Sequence, residues 1–77
     1  MKTIINQTDI LVVKNGKTIG RLEFALKDNE MTIIHTVAYE KGQGIGTQLV
    51  QAAIDMAKEH NYTIKPVCSF AKKMLEG

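Results

Sequence analysis

The densest chemical signal in this 77-residue chain is the stretch Lys41-Gly42-Gln43-Gly44-Ile45-Gly46-Thr47. Glycines at alternate positions clear side chains from the backbone and permit dihedral angles that other residues avoid. Where such a turn leads from a strand into a helix, the first N–H groups of the helix have no acceptor within it and point outward. That arrangement favours anions, phosphate groups above all. A simpler reading also stands, since glycine punctuates strand-to-helix junctions in many folds. Spacing excludes two familiar nucleotide turns. No Gly-Lys-Ser/Thr follows at the interval of a P-loop, and Gly-x-Gly-x-Gly is not the Gly-x-Gly-x-x-Gly of a dinucleotide fold.

Cys68 is the only thiol. It is either a small apolar side chain or, near a helix start that favours the thiolate, a nucleophile. His35 is expected on a strand face shared with Ile33 and Val37, as a core histidine, a base or a neighbour of a bound ligand. Tyr39 and Glu40 flank the glycine turn and carry groups able to assist proton transfer. Cys68, His35 and His60 share no ligand spacing, so no metal is expected.

The elements that must position these groups follow from periodicity. Ile10-Leu11-Val12-Val13 runs into Asn15-Gly16, the dipeptide of a two-residue hairpin. Leu22, Phe24 and Leu26 then alternate with charged residues as a half-buried strand, with Gly20 as a candidate bulge. After an Asp28-Asn29 turn, Met31 to Val37 reads as a third strand, apolar at both parities and expected to be covered on both faces over Ile33 and Ile34. From about Gly44 the period changes. Leu49, Val50, Ala53, Ile54 and Ala57 line one helical stripe that ends near His60-Asn61. Tyr62 to Lys65 gives a fourth strand, stopped by Pro66, and Cys68 to Leu75 gives a short C-terminal helix. The expected fold is α/β (α+β): an antiparallel three-stranded meander, a helical crossover, and a parallel fourth strand.

Length and composition bound the remainder. Residues 1–77 make a single domain with one modest core. Apolar residues at 44% and charged residues at 23% suit a folded, soluble chain. One cysteine forms no internal disulfide, no stretch is long enough to span a membrane, and Met1 to Gln7 lacks a signal-peptide core, so a cytoplasmic setting is expected. Ten basic against eight acidic residues leave a net charge of +2, too weak and too scattered to indicate nucleic acid. Lys41, Lys65, Lys72 and Lys73 are a local cluster suited at most to one phosphorylated ligand.

Lys41-Gly42-Gln43-Gly44-Ile45-Gly46, followed by a helix with Leu49-Val50, resembles the Arg/Gln-x-x-Gly-x-Gly/Ala turn of the GCN5-related N-acetyltransferases. His35-Thr36 together with Pro66-x-Cys68-Ser69-Phe70 is similar to that family's minimal, stand-alone branch, over about Asp9 to Leu75. The resemblance implies acetyl-CoA as co-substrate and an amine as acceptor. It places the pyrophosphate on Lys41, Gly42, Gln43, Gly44, Ile45, Gly46 and Thr47, and the pantetheine arm along His35, Thr36 and Val37. Direct attack by the amine is the family's common route; an acetyl relay through Cys68 is the alternative. Lys41 departs from the usual Arg or Gln, which removes a planar donor fork but keeps the charge. Phe70 stands where a tyrosine is frequent, the stretch from Thr36 to Gly42 is shorter than usual, and the branch's acidic-aromatic tail is missing. A CoA-binding module without catalysis and a small interaction domain are the competing functions, and a homodimer is one way to close the substrate side.

Overall fold

The computed structural model describes residues 1–40, 42, 44–67 and 72–73. Its elements are β1 (Lys2–Ile5), β2 (Asp9–Lys14), β3 (Lys17–Lys27), β4 (Glu30–Ala38), α1 (Ile45–His60) and β5 (Thr63–Pro66). The strands form one sheet in the order β1-β2-β3-β4-β5, antiparallel except for the parallel β4–β5 pair. The β2–β3 and β3–β4 hairpin turns have the predicted chemistry. Asn15 and Gly16 sit at φ 52° and 77°, and Asp28 and Asn29 at 52° and 64°, the paired positive angles that match strand twist.

Two differences from the sequence-based expectation concern the ends. The meander has a further strand, because Thr3-Ile4-Ile5 pairs with Val12, Leu11 and Ile10; four residues are too few to show a period. β5 begins at Thr63 and includes Pro66. The expected C-terminal helix falls largely outside the described residues. Only Lys72 and Lys73 are described there, with helical backbone, and α1 is internal, followed by β5.

A third difference concerns β4. Only one face of the sheet is covered by α1, so Ile33 is buried while Ile34 is 48% exposed. The expectation that both would be covered fails because α1 packs on one face alone, and beyond Ile33 β4 carries a bulge. Phe24 opposes Ile33 and Glu23 opposes His35, which leaves Ile34 as an extra residue. Side-chain parity changes there. Residues directly opposed across a ladder share a face, so Thr36, opposite buried Leu22, turns toward the helix. His35 and Val37, opposite Glu23 and Arg21, turn to the open face. His35 therefore does not share a face with Ile33, and it is exposed rather than a core histidine.

The core lies between sheet and helix. Ile10, Val12, Ile19, Leu22, Phe24, Met31 and Ile33 meet Ile45, Leu49, Val50, Ala53 and Ala57, all at most 3% exposed. Each large apolar side chain so buried is worth roughly 1.5–3 kcal/mol. The helix ends at Asn61 with φ 60°, and the Tyr62 N–H donates to Ala57 O at 2.8 Å, closing a left-handed cap. Arg21 Nε donates to Asp9 Oδ2 at 3.1 Å on the open face, an exposed pair that adds little stability.

Gly20 decides how close α1 lies to the sheet. It sits where the β2–β3 register shifts, and a Cβ there would collide with Ile45 Cγ2 and crowd Leu49 Cδ1 at 3.2 Å. Ile45 Cγ2 is fixed to a branched Cβ and has little freedom to yield. Gly20→Ala is therefore expected to lower the unfolding free energy by about 1–3 kcal/mol, as overpacking does. Urea denaturation with an unchanged midpoint would contradict this packing.

Candidate functional site

The glycine turn joins the end of β4 to the start of α1, as its sequence requires. Gly42 and Gly44 have φ of 80° and 65°, and nothing lies within 4 Å of where a Cβ would stand on either. Conformation, not crowding, demands glycine at these two positions. Gly44 is the N-cap, with no side-chain capping bond, and the first turn contains no acidic residue. The first helical hydrogen bond runs from Gln48 N–H to Gly44 O at 3.0 Å. The N–H groups of Ile45, Gly46 and Thr47 thus have no acceptor inside the helix. They carry the positive end of the helix dipole, equivalent to about half a charge.

A cavity of about 290 Å³ opens at this helix end, lined by Ala38, Glu40, Gly42, Gly44, Ile45, Gly46 and Thr47. Ala38 was not legible as a site residue, because only the bulge turns its side to the helix. Two larger hollows also border α1, the first of them sharing Thr47 with this cavity, and suit an anion less. One, of about 500 Å³ against β1, is rimmed by Asp55 and Glu59; the other, of about 530 Å³, sits at the helix C-terminus, where the dipole is negative. Glu40 is the carboxylate on the lining of the smaller cavity, so among the described residues attraction for an anion there comes from the amides.

β4 provides the second part of the site. Its ladder to β5 runs only from Glu30↔Thr63 to Ile33↔Pro66, and the Val67 N–H donates to Ile33 O at 2.9 Å. The two strands part at the bulge residue, since a bulge bends its strand and Pro66 offers no N–H to extend the ladder. Among the described residues, His35 to Ala38 then pair with β3 alone, and Ile34 is the bulge residue between the two ladders. From Ile34 to Ala38 the β5-side edge has no strand partner among the described residues, over about 13 Å at some 3.3 Å per step. That edge runs from the parting of the strands to the glycine-turn cavity. On its helix side Thr36 Oγ1 is buried without a hydrogen-bond partner.

The sequence-predicted residues thus divide. Thr36, Gly42, Gly44, Ile45, Gly46 and Thr47 lie along this edge-and-turn line; His35 and Val37 contribute backbone to it but turn their side chains to the open face. Lys41, Gln43 and Cys68 lie outside the described residues. Among the described residues no three His, Asp or Glu side chains gather in a metal-binding group. No helix there is long and apolar enough to cross a membrane.

Because Gly44 has open space around it, its substitution reports backbone strain alone. Gly44→Ala is expected to destabilise the fold by about 1–2 kcal/mol, and Gly44→Asn by less, since asparagine tolerates the left-handed region. Equal denaturation midpoints for both variants would show that the positive φ is not required.

Comparison with known proteins fits this geometry. The family model described as GCN5-related N-acetyl-transferase matches residues 8–77. A crystal structure of a ribosomal-protein-alanine N-acetyltransferase from Brucella melitensis biovar Abortus 2308 aligns with a TM-score of 0.67 at 18% identity, over 88% of this chain. The chain spans 60% of that structure's length. At that identity the likeness is one of fold. No curated protein matches the sequence significantly.

Proposed function

The chain belongs to the GCN5-related N-acetyltransferases, and from that membership we propose that it binds acetyl-CoA and transfers the acetyl group to an amine. The observation that carries this reading is the alignment of two features. The edge of β4 from Ile34 to Ala38, without a strand partner among the described residues, leads to the N-terminus of α1, which has no side-chain cap. A CoA molecule has a matching layout. Its pantetheine arm carries amides able to add to a strand edge, and its pyrophosphate follows at one end. Ile45, Gly46 and Thr47 amides hold the pyrophosphate, with Lys41 adding charge; the backbone of His35, Thr36 and Val37 orients the arm. The thioester then falls where β4 and β5 part, beside Ile33 and Val67.

At that point a neutral amine attacks the thioester carbonyl, the C–S bond breaks, and the CoA thiolate leaves with the proton the amine sheds. The chain's share is to hold donor and acceptor in contact. Cys68 follows Val67 directly in the sequence. As a thiolate it would take the acetyl group by thioester exchange, release CoA, and pass the acetyl on to the amine.

Thr47 provides the sharpest test, since it is exposed in the first turn of α1 and lines the cavity. Thr47→Glu puts a negative charge where helices accept one, so the fold is expected to be as stable or slightly more so. The same charge faces the pyrophosphate, and calorimetry should show acetyl-CoA binding weakened about tenfold or more. Undiminished binding would contradict the assigned phosphate position. Mass spectrometry after incubation with acetyl-CoA and a polyamine or lysine peptide separates the chemistry. An acetylated amine supports transfer; CoA binding without any acetylated product favours a binding module. If Cys68 stays unmodified and Cys68→Ala retains transfer, attack is direct.

A further inference from the structure

β1 carries side chains on the helix side of the sheet that the helix does not cover. Thr3 and Ile5 oppose buried Val12 and Ile10, so they share the face on which α1 lies. Yet Ile5 is 52% exposed, because α1 packs on the strands from β2 to β5 and leaves β1 overhanging. A helix is about 10 Å across, whereas five strands extend over about 19 Å. The overhang forms a trough of about 500 Å³ between β1 and the flank of α1, apolar at Ile5, Ala52 and Met56 and acidic at Asp55 and Glu59. Among the described residues that line it none is basic. Asp55 accepts a hydrogen bond from Gln51 Nε2 at 3.0 Å, and no described cation pairs with either carboxylate. β1 is also the outermost strand, so its outer edge has no strand partner among the described residues.

We propose that this trough docks an extended, basic segment of a partner protein, which adds to the β1 edge as a further strand. Strand addition supplies main-chain hydrogen bonds, and side chains of one parity then fall on the trough side with Thr3 and Ile5. Lysine or arginine fits there, because the alkyl stem covers apolar surface while the charged head reaches a carboxylate. Ile5 and Met56 lie under the stems; Asp55 and Glu59 receive the heads. Charge decides against a second copy of this chain. Two copies joined edge to edge at β1 by a two-fold axis would bring a second Asp55 and Glu59 to the shared trough, with no cation facing them, since Lys2 alternates to the open face. β1 and β5 lie at opposite ends of the strand order, so this surface is distinct from the β4–β5 gap and does not rest on the acyl-CoA reading.

The experiment titrates the full chain, without acetyl-CoA, with an end-capped peptide of alternating threonine and lysine and with its threonine and glutamate counterpart, and follows backbone amide shifts. The lysine peptide is expected to shift Lys2 to Ile5 and Gln51 to Glu59 saturably, and the glutamate peptide to shift neither. Asp55→Asn combined with Glu59→Gln removes both charges and keeps the side-chain shapes. It should weaken the lysine peptide about five- to thirtyfold, as the loss of two ion pairs does, and added salt should weaken the wild type more than this variant. A fully N-methylated lysine peptide keeps the charge, loses the main-chain donors, and should bind about fivefold more weakly. No binding of the lysine peptide, equal affinity for the double variant, or shifts confined to residues outside the trough would overturn the proposal. Undiminished binding of the N-methylated peptide would overturn the strand addition. A dimer of the free chain by sedimentation, with the Thr3 to Ile5 amides protected from exchange, would give the trough to a second copy and overturn it too.

Discussion

The site depends first on how closely α1 approaches the sheet. At Gly20 the missing side chain lets Ile45 and Leu49 rest against the β3 backbone, and Ile45 is the first residue of the helix. A helix held further off would still bury Val50, Ala53 and Ala57, but its uncapped end would no longer lie beside Ala38. Core packing and site geometry therefore share one contact. The free amides of Ile45, Gly46 and Thr47 are aimed by the same turn that closes the hydrophobic layer.

β4 meets a second constraint, because it must be a central strand at one end and an open edge at the other. One extra residue, Ile34, achieves both. Before it, Met31 and Ile33 face the core and pair with β5; after it, the strand bends away from β5 and parity reverses. The reversal explains an otherwise odd distribution of polarity. Thr36 is carried to the helix side, where its hydroxyl has no partner, while His35 moves to the open face opposite Glu23. Two apolar residues in succession, Ile33 and Ile34, do not mark a strand buried on both faces here. They mark the point where the faces exchange.

Much of this was legible in the residues. Asn15-Gly16 and Asp28-Asn29 fixed two hairpins through backbone chemistry that tolerates few alternatives, and the Leu49, Val50, Ala53, Ala57 stripe fixed the helix and the parallel crossover after it. The glycine turn was legible because Gly42 and Gly44 need positive φ, a requirement written in residue type. What escaped was written in register. A bulge has no composition of its own, so the face of His35 was misread, and Ala38 was not seen as part of the cavity. β1 was hidden by its brevity, since Thr3-Ile4-Ile5 shows no alternation to read. Family membership, carried by residues 8–77, supplies the ligand class that geometry alone leaves at the level of an anion and an extended chain.

The central claim is that one ligand spans both the β4 edge and the α1 N-terminus. Backbone amide shifts followed while acetyl-CoA is titrated into the protein test it most directly. The account predicts saturable perturbations in two stretches at once, Ile34 to Ala38 and Gly42 to Thr47, with a single dissociation constant. Perturbations absent from Gly42 to Thr47, or confined to the groove between β1 and α1, would contradict it.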